Sequence, residues 1–165
     1  MILAGFDFGT VTGFSAGKAG GIPMFGHRDF TSASSGAVFA RFRDWFGWQL
    51  DVIGPDWIFC EEPFVGRNAY TTRRLYGLRA HAEEIAHRRD IPLTWVPIKT
   101  VADFFIGQAG LRRDQKKMAT IRMAERYGHR VTCDDEADAI SLFYYGEAIR
   151  APHVRRTAGS LFVGA

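Results

Sequence analysis

A single carboxylate inside an apolar run constrains the fold of this chain more than any other feature. Residues 1–8 read MILAGFDF, and Asp7 is the one charged side chain among them. A strand that packs on both faces is a near-continuous apolar run, and a carboxylate buried in one is costly unless a partner or a metal ion compensates. Either Asp7 caps the glycine-containing turn that follows, or it belongs to a polar site at the end of a buried first strand.

The order of the predicted elements indicates an α/β protein. Strand patterns separated by a glycine-rich turn come first, as in an antiparallel meander, and helical patterns then alternate with strand patterns. This order favours a mixed five-stranded sheet, three antiparallel and then parallel strands, with helices on both faces. The predicted strands cover residues 1–8, 12–17, 22–30, 56–61 and 91–97, and the predicted helices cover residues 36–53, 70–90, 98–107, 114–127 and 134–150.

Composition narrows the class of protein. The 165 residues suit one domain, which we place at residues 1–150, followed by a weakly patterned tail at residues 151–165. Cys60 and Cys133 lack the spacing of a zinc motif, so we expect neither a zinc site nor a disulfide framework. No apolar stretch is long enough for a membrane span, and the first residues lack a signal-peptide pattern, so we expect a cytoplasmic protein.

Other acidic residues, like Asp7, lie where the surrounding pattern is apolar. Glu61 and Glu62 end the apolar run WIFC, and Asp135 and Asp138 share one face of the last predicted helix through their i, i+3 spacing. A favourable helix dipole explains acids in a first turn, but Asp138 lies beyond it. Asp7, a glutamate and this pair offer the oxygen ligands that Mg²⁺ prefers. Two such ions about 4 Å apart promote phosphodiester hydrolysis.

Basic residues are concentrated in the middle of the sequence. Residues 66–131 hold 14 Lys and Arg against 6 Asp and Glu, whereas acids outnumber bases on either side. A basic block is usually solvated surface, but beside a metal site it suits a polyanionic substrate such as DNA. The candidate phosphate contacts are Arg67, Arg73, Arg74, Lys99, Arg112, Arg113, Lys116 and Lys117.

The loop after the two glutamates contributes further candidates. Phe64 either stacks on bases at a junction or packs in the core, and Tyr70 is a second candidate for stacking. Asn68 lies in the same loop and is included among the DNA-binding candidates.

Four segments in order resemble the RuvC family of Holliday-junction resolvases, including its phage-borne relatives. They read GFDFGTVTG, CEEPFVGRNAYTTRRLYGLRA, VADFFIGQAGLRRDQKKMA and DDEADAISL, and the resemblance as a whole spans roughly residues 2–148. The resemblance implies a ribonuclease H-like fold in which Asp7, Glu61, Asp135 and Asp138 are catalytic and hold two Mg²⁺ ions, for which Mn²⁺ would substitute. Glu61 is preferred to Glu62 because it puts Phe64 at the family's aromatic position.

The same resemblance implies an endonuclease for branched DNA, foremost the Holliday junction, that serves recombination and repair as a homodimer in a bacterial cell. In-line attack by water would leave a 5′-phosphate and a 3′-hydroxyl, and a bacterial or a phage origin stays open. Two positions depart from the family pattern. Glu62 replaces a neutral residue and could assist or substitute for Glu61, and Arg113 stands where a lysine is expected, although arginine is a poor proton donor.

Three alternatives compete with this interpretation. The turn DFGTVTG also resembles the phosphate-binding turn of sugar kinases and actin-like ATPases, but those need two such domains, so no nucleotide cofactor is expected. A YqgF-type RNA-processing nuclease has the same fold, although it is typically shorter and lacks the long basic helix. A DNA-junction-binding module without catalysis would not need all four acids.

Overall fold

A five-stranded mixed sheet lies at the centre of the molecule. The computed structural model describes residues 1–63, 66, 68–108 and 110–154, so Phe64, Arg67 and residues 155–165 lie outside the described residues. The strands are β1 (Ile2–Asp7), β2 (Val11–Lys18), β3 (Met24–Asp29), β4 (Trp57–Glu61) and β5 (Leu93–Val96), in the spatial order β3-β2-β1-β4-β5. The first three strands pair antiparallel, and β1, β4 and β5 pair parallel. The predicted sheet is confirmed.

Five helices, counted over the described residues, lie on the two sides of this sheet. They are α1 (Ser35–Ile53), α2 (Ala69–His87), α3 (Ile98–Ile106), α4 (Arg113–Arg126) and α5 (Asp134–Arg150). Local sequence sets their ends, because the Ser34 hydroxyl accepts the Ala37 N–H at the start of α1 and Gly54 ends that helix at a φ of 56°. In the described parts of the chain, none of these helices is apolar over a length that would cross a bilayer.

Strand alternation divides the core into two layers. Ala4 and Phe6 of β1 pack against α1 and α2, whereas Leu3 packs on the opposite face against α5. The apolar stripe of α2 serves the first layer, since Leu78 and Ala82 are buried there. The buried part of α2 therefore belongs to the core of the protein.

Candidate active site

The carboxylates of Asp7 and Glu61 come together at the carboxyl ends of two central strands. Each is the last residue of its strand, and the residues that precede them, Phe6 and Cys60, are parallel partners. Because side chains alternate along a strand, Asp7 lies on the same face as Leu3, and Glu61 on the same face as Phe59. Both Leu3 and Phe59 pack in the layer that contains α5. The two acids therefore face α5.

Glycines allow α5 to approach this face closely. A Cβ atom at Gly5 would lie 2.6 Å from the carbonyl oxygen of Ala139, and one at Gly13 would overlap the carbonyl oxygen of Asp135. Gly13 is also the direct antiparallel partner of Asp7, which puts their Cα atoms about 5 Å apart. The first turn of α5 consequently lies on the strand pair that ends in Asp7.

The electrostatics show that four carboxylates share this region. The pKa of Asp7 is raised well above its ordinary value, first by burial and then by the negative charges of Glu61, Asp138 and Asp135. Burial likewise raises the pKa of Glu61 and of Asp135, and it raises the pKa of Asp138 to about 7. The structure thus brings together the four acids that the sequence predicted, at an electrostatic cost that a cation would remove.

Lys116 projects from α4 into the same region. Its Nζ atom lies 3.6 Å from Oε2 of Glu61, and both side chains are only 17% exposed. The Lys116 charge opposes the raised pKa values of Asp7, Glu61 and Asp138. From the sequence, Lys116 is one of several candidate phosphate contacts, and the lysine of the family pattern is expected at position 113. Positions 113 and 116 are neighbours on one helix face because of their i, i+3 spacing. This spacing could have indicated Lys116 as a replacement for the lysine expected at position 113.

Glu62 lies apart from the four carboxylates. Its N–H continues the ladder by donating to the carbonyl of Val96, and its half-exposed carboxylate lies 3.9 Å from Arg79 of α2. As the next residue after Glu61 on an extended segment, it points to the other side of the sheet. Strand alternation alone could have separated the two glutamates.

The basic candidates fall into two groups. Arg73, Lys99, Arg112 and Arg113 are exposed. Others are less exposed and are held by the protein itself: Arg74 donates to the Tyr70 hydroxyl and to the Ser32 carbonyl, and Lys117 is paired with Asp134. The Asn68 side chain caps α2 by accepting the N–H groups of Tyr70 and Thr71, whereas Phe64 and Arg67 lie outside the described residues. Tyr70 itself is 48% exposed.

A second cluster of ligand-type side chains escaped sequence analysis. His27 of β3 lies beside Cys133 and Glu136 at the start of α5. More than a hundred positions separate His27 from the other two, and no sequence spacing connects a strand residue with a helix that packs on it.

Comparisons with known proteins identify the fold. No protein-family profile and no curated protein sequence matches the chain. Among solved structures, Thermus thermophilus RuvC in complex with a Holliday junction substrate matches with a TM-score of 0.74, at 15% identity over 93% of this chain and 97% of that one. A second T. thermophilus RuvC structure matches with a TM-score of 0.70, at 17% identity over 92% and 97%. The yeast mitochondrial Holliday junction resolvase Ydc2 matches with a TM-score of 0.57, at 13% identity over 92% and 82%.

The class defined by this likeness is that of the ribonuclease H-like α/β folds. Within it, the chain has the fold of the RuvC resolvases over nearly its whole length. The expected fold is therefore confirmed.

Proposed function

We propose that the protein is a divalent-metal-dependent endonuclease that cleaves branched DNA, foremost four-way Holliday junctions. One observation carries the proposal: Asp7, Glu61 and the pair Asp135 and Asp138 come from three separate elements and converge at the carboxyl ends of the central strands β1 and β4. Structural ion pairing does not account for this arrangement, because the described basic side chains that act on these acids, Lys116, Lys117 and His27, still leave the pKa of all four carboxyls raised. The fold is that of a protein whose structure holds a Holliday junction.

The donor set fits a hard divalent cation. Carboxylate oxygens with no described histidine or cysteine ligand among them suit Mg²⁺ or Mn²⁺ rather than zinc. Asp7, Glu61, Asp135 and Asp138 would hold two such ions, which activate water and stabilise the leaving oxygen of a phosphodiester when bound. Hydrolysis by in-line attack of water would leave a 5′-phosphate and a 3′-hydroxyl.

The residues around the carboxylates would position the scissile phosphate. The Lys116 ammonium group lies beside Glu61, where it offsets part of the repulsion among the acids and would attract the phosphate. The exposed side chains of Arg73, Lys99, Arg112 and Arg113 would contact phosphates farther along the DNA arms. A homodimer would present two such sites to symmetrically related strands of one junction.

Cleavage of labelled substrates tests the proposal. The panel comprises a four-way junction, a fork, a flap, linear duplex, single-stranded DNA and structured RNA, each with Mg²⁺ and with a chelator. We expect metal-dependent nicking of branched DNA, in symmetrical pairs on the four-way junction. Asp7→Asn should lower the cleavage rate at least about 100-fold and leave junction binding intact, whereas the exposed acid in Asp103→Asn serves as the control.

Each alternative result would indicate a different function. Cleavage of RNA alone would support the YqgF-type alternative and contradict the proposal. Junction binding without cleavage by the wild-type chain, in Mg²⁺ and in Mn²⁺, would indicate a non-catalytic binding module. Light scattering of the protein on a junction should give two chains per junction.

A further inference from the structure

The cluster of His27, Cys133 and Glu136 lies outside the four-carboxylate site. One ligand atom from each residue, an imidazole nitrogen, the thiol sulfur and a carboxylate oxygen, lies within 4.8 Å of the other two. His27 belongs to β3, Cys133 immediately precedes α5, and Glu136 is in the first turn of that helix. The three residues thus connect the sheet to the helix that carries Asp135 and Asp138.

The carboxylate of this cluster is buried and held in place. Glu136 is only 5% exposed. Its Oε2 atom accepts the backbone N–H of Thr132 at 2.7 Å, and its Oε1 atom lies 2.9 Å from Nδ1 of His27. The Thr132 N–H lies outside the proposed ligand set, and fixed outer contacts of this kind orient metal ligands in proteins. The His27 side chain is 41% exposed, which leaves a path from solvent to the cluster.

The chemistry of the three ligands selects a different ion from the carboxylate site. Thiolate, imidazole and carboxylate are the ligands of Zn²⁺ and related transition metals, whereas Mg²⁺ prefers oxygen alone. Tetrahedral Zn²⁺ needs ligand atoms about 3.5 Å apart, so small side-chain rotations within the present cluster would suffice. Three protein ligands leave the fourth position to water.

We propose that His27, Cys133 and Glu136 form a second metal site, for Zn²⁺ or a transition-metal ion of similar preference. Binding displaces the thiol proton of Cys133 to solvent and changes no oxidation state. The ion ties β3 to the start of α5, and it stabilises the folded protein by mass action. This site does not depend on whether the protein cleaves DNA.

Cobalt and zinc titrations of the metal-free full chain test the site. Co²⁺ should give a thiolate charge-transfer band that saturates at one ion per chain, and excess Mg²⁺ should not remove it. Zn²⁺ should displace Co²⁺ and raise the melting temperature. Cys133→Ser should abolish the band and weaken Zn²⁺ binding at least about 100-fold, although Cys60 is still present.

Matched variants test whether these three residues bind the ion, rather than another histidine or the four-carboxylate site. His27→Ala should weaken Zn²⁺ binding by a similar factor, whereas the exposed histidine in His87→Ala should leave it unchanged. Asp7→Asn should keep the thiolate band, so loss of nuclease function and loss of this site give different results. A band that is absent in the wild-type chain, or that persists in Cys133→Ser, would overturn the proposal and leave His27 and Glu136 as a hydrogen-bonded pair only.

Discussion

Replacement of Asp138 by asparagine should stabilise the metal-free protein. Burial and the neighbouring negative charges raise the pKa of Asp138 from 3.8 to about 7. At about 1.36 kcal/mol per pH unit, ionised Asp138 costs the folded state up to roughly 4 kcal/mol at pH 8. Asparagine has nearly the same shape and no charge, but it also removes one partner of Lys116. We therefore expect a net gain of about 2 kcal/mol or more, which corresponds to a melting temperature roughly 4–10 °C higher.

The pH dependence of this gain follows from the direction of the pKa shift. Between pH 3.8 and about 7, folded Asp138 keeps a proton that the unfolded chain has released, so wild-type stability falls as the pH rises through this range. The advantage of Asp138→Asn should accordingly be complete above about pH 7 and less than half as large at pH 5. Mg²⁺ should reverse the ranking, because it stabilises the wild-type carboxylates and loses a ligand in the variant.

Thermal and urea unfolding in a chelator at pH 5 and pH 8 measure these effects. Asp103→Asn, an exposed acid on α3, is the matched control and should change stability little at either pH. A variant no more stable than the wild type at pH 8, or a gain of equal size at both pH values, would refute the argument that burial and mutual repulsion of these carboxylates destabilise the metal-free protein.

Three further substitutions test other parts of the structure. Gly13→Ala should lower the free energy of unfolding, measured in urea, by about 1–3 kcal/mol, because its methyl group displaces α5. Gly36→Ala, whose methyl group has room, should not lower it. Equal stability of the two variants would contradict the close contact between Gly13 and α5. Lys116→Met should slow cleavage roughly 10- to 100-fold and shift the pH–rate profile to higher pH, whereas Lys99→Met should leave that profile in place. Arg73→Ala should weaken junction binding and lower the slope of log Kd against log salt by about one, and an unchanged slope would exclude a phosphate contact.

The sequence alone predicted the order of the elements and the four acids. Strands and helices were visible because hydrophobic periodicity and caps such as Ser34 are local properties. Asp7 and Asp138 were conspicuous because each charge interrupts a surface that should be apolar. Strand alternation also separates Glu61 from Glu62, because consecutive residues of an extended segment point to opposite faces of the sheet.

The roles of other residues became visible only in the tertiary structure. Lys116 and Arg113 lie on one helix, and only the packing of α4 against α3 and α5 brings Lys116 to Glu61. Arg74 and Asn68 have the residue types of DNA contacts, yet tertiary and capping interactions engage both.

Local patterns thus determined which residues form strands and helices and which charges sit where apolar residues belong. Only the tertiary structure decided which of those charges meet, because contacts between distant segments depend on how closely the layers approach. Gly5 and Gly13 set that approach here, and through it they fix Asp135 over Asp7 and Glu136 beside His27.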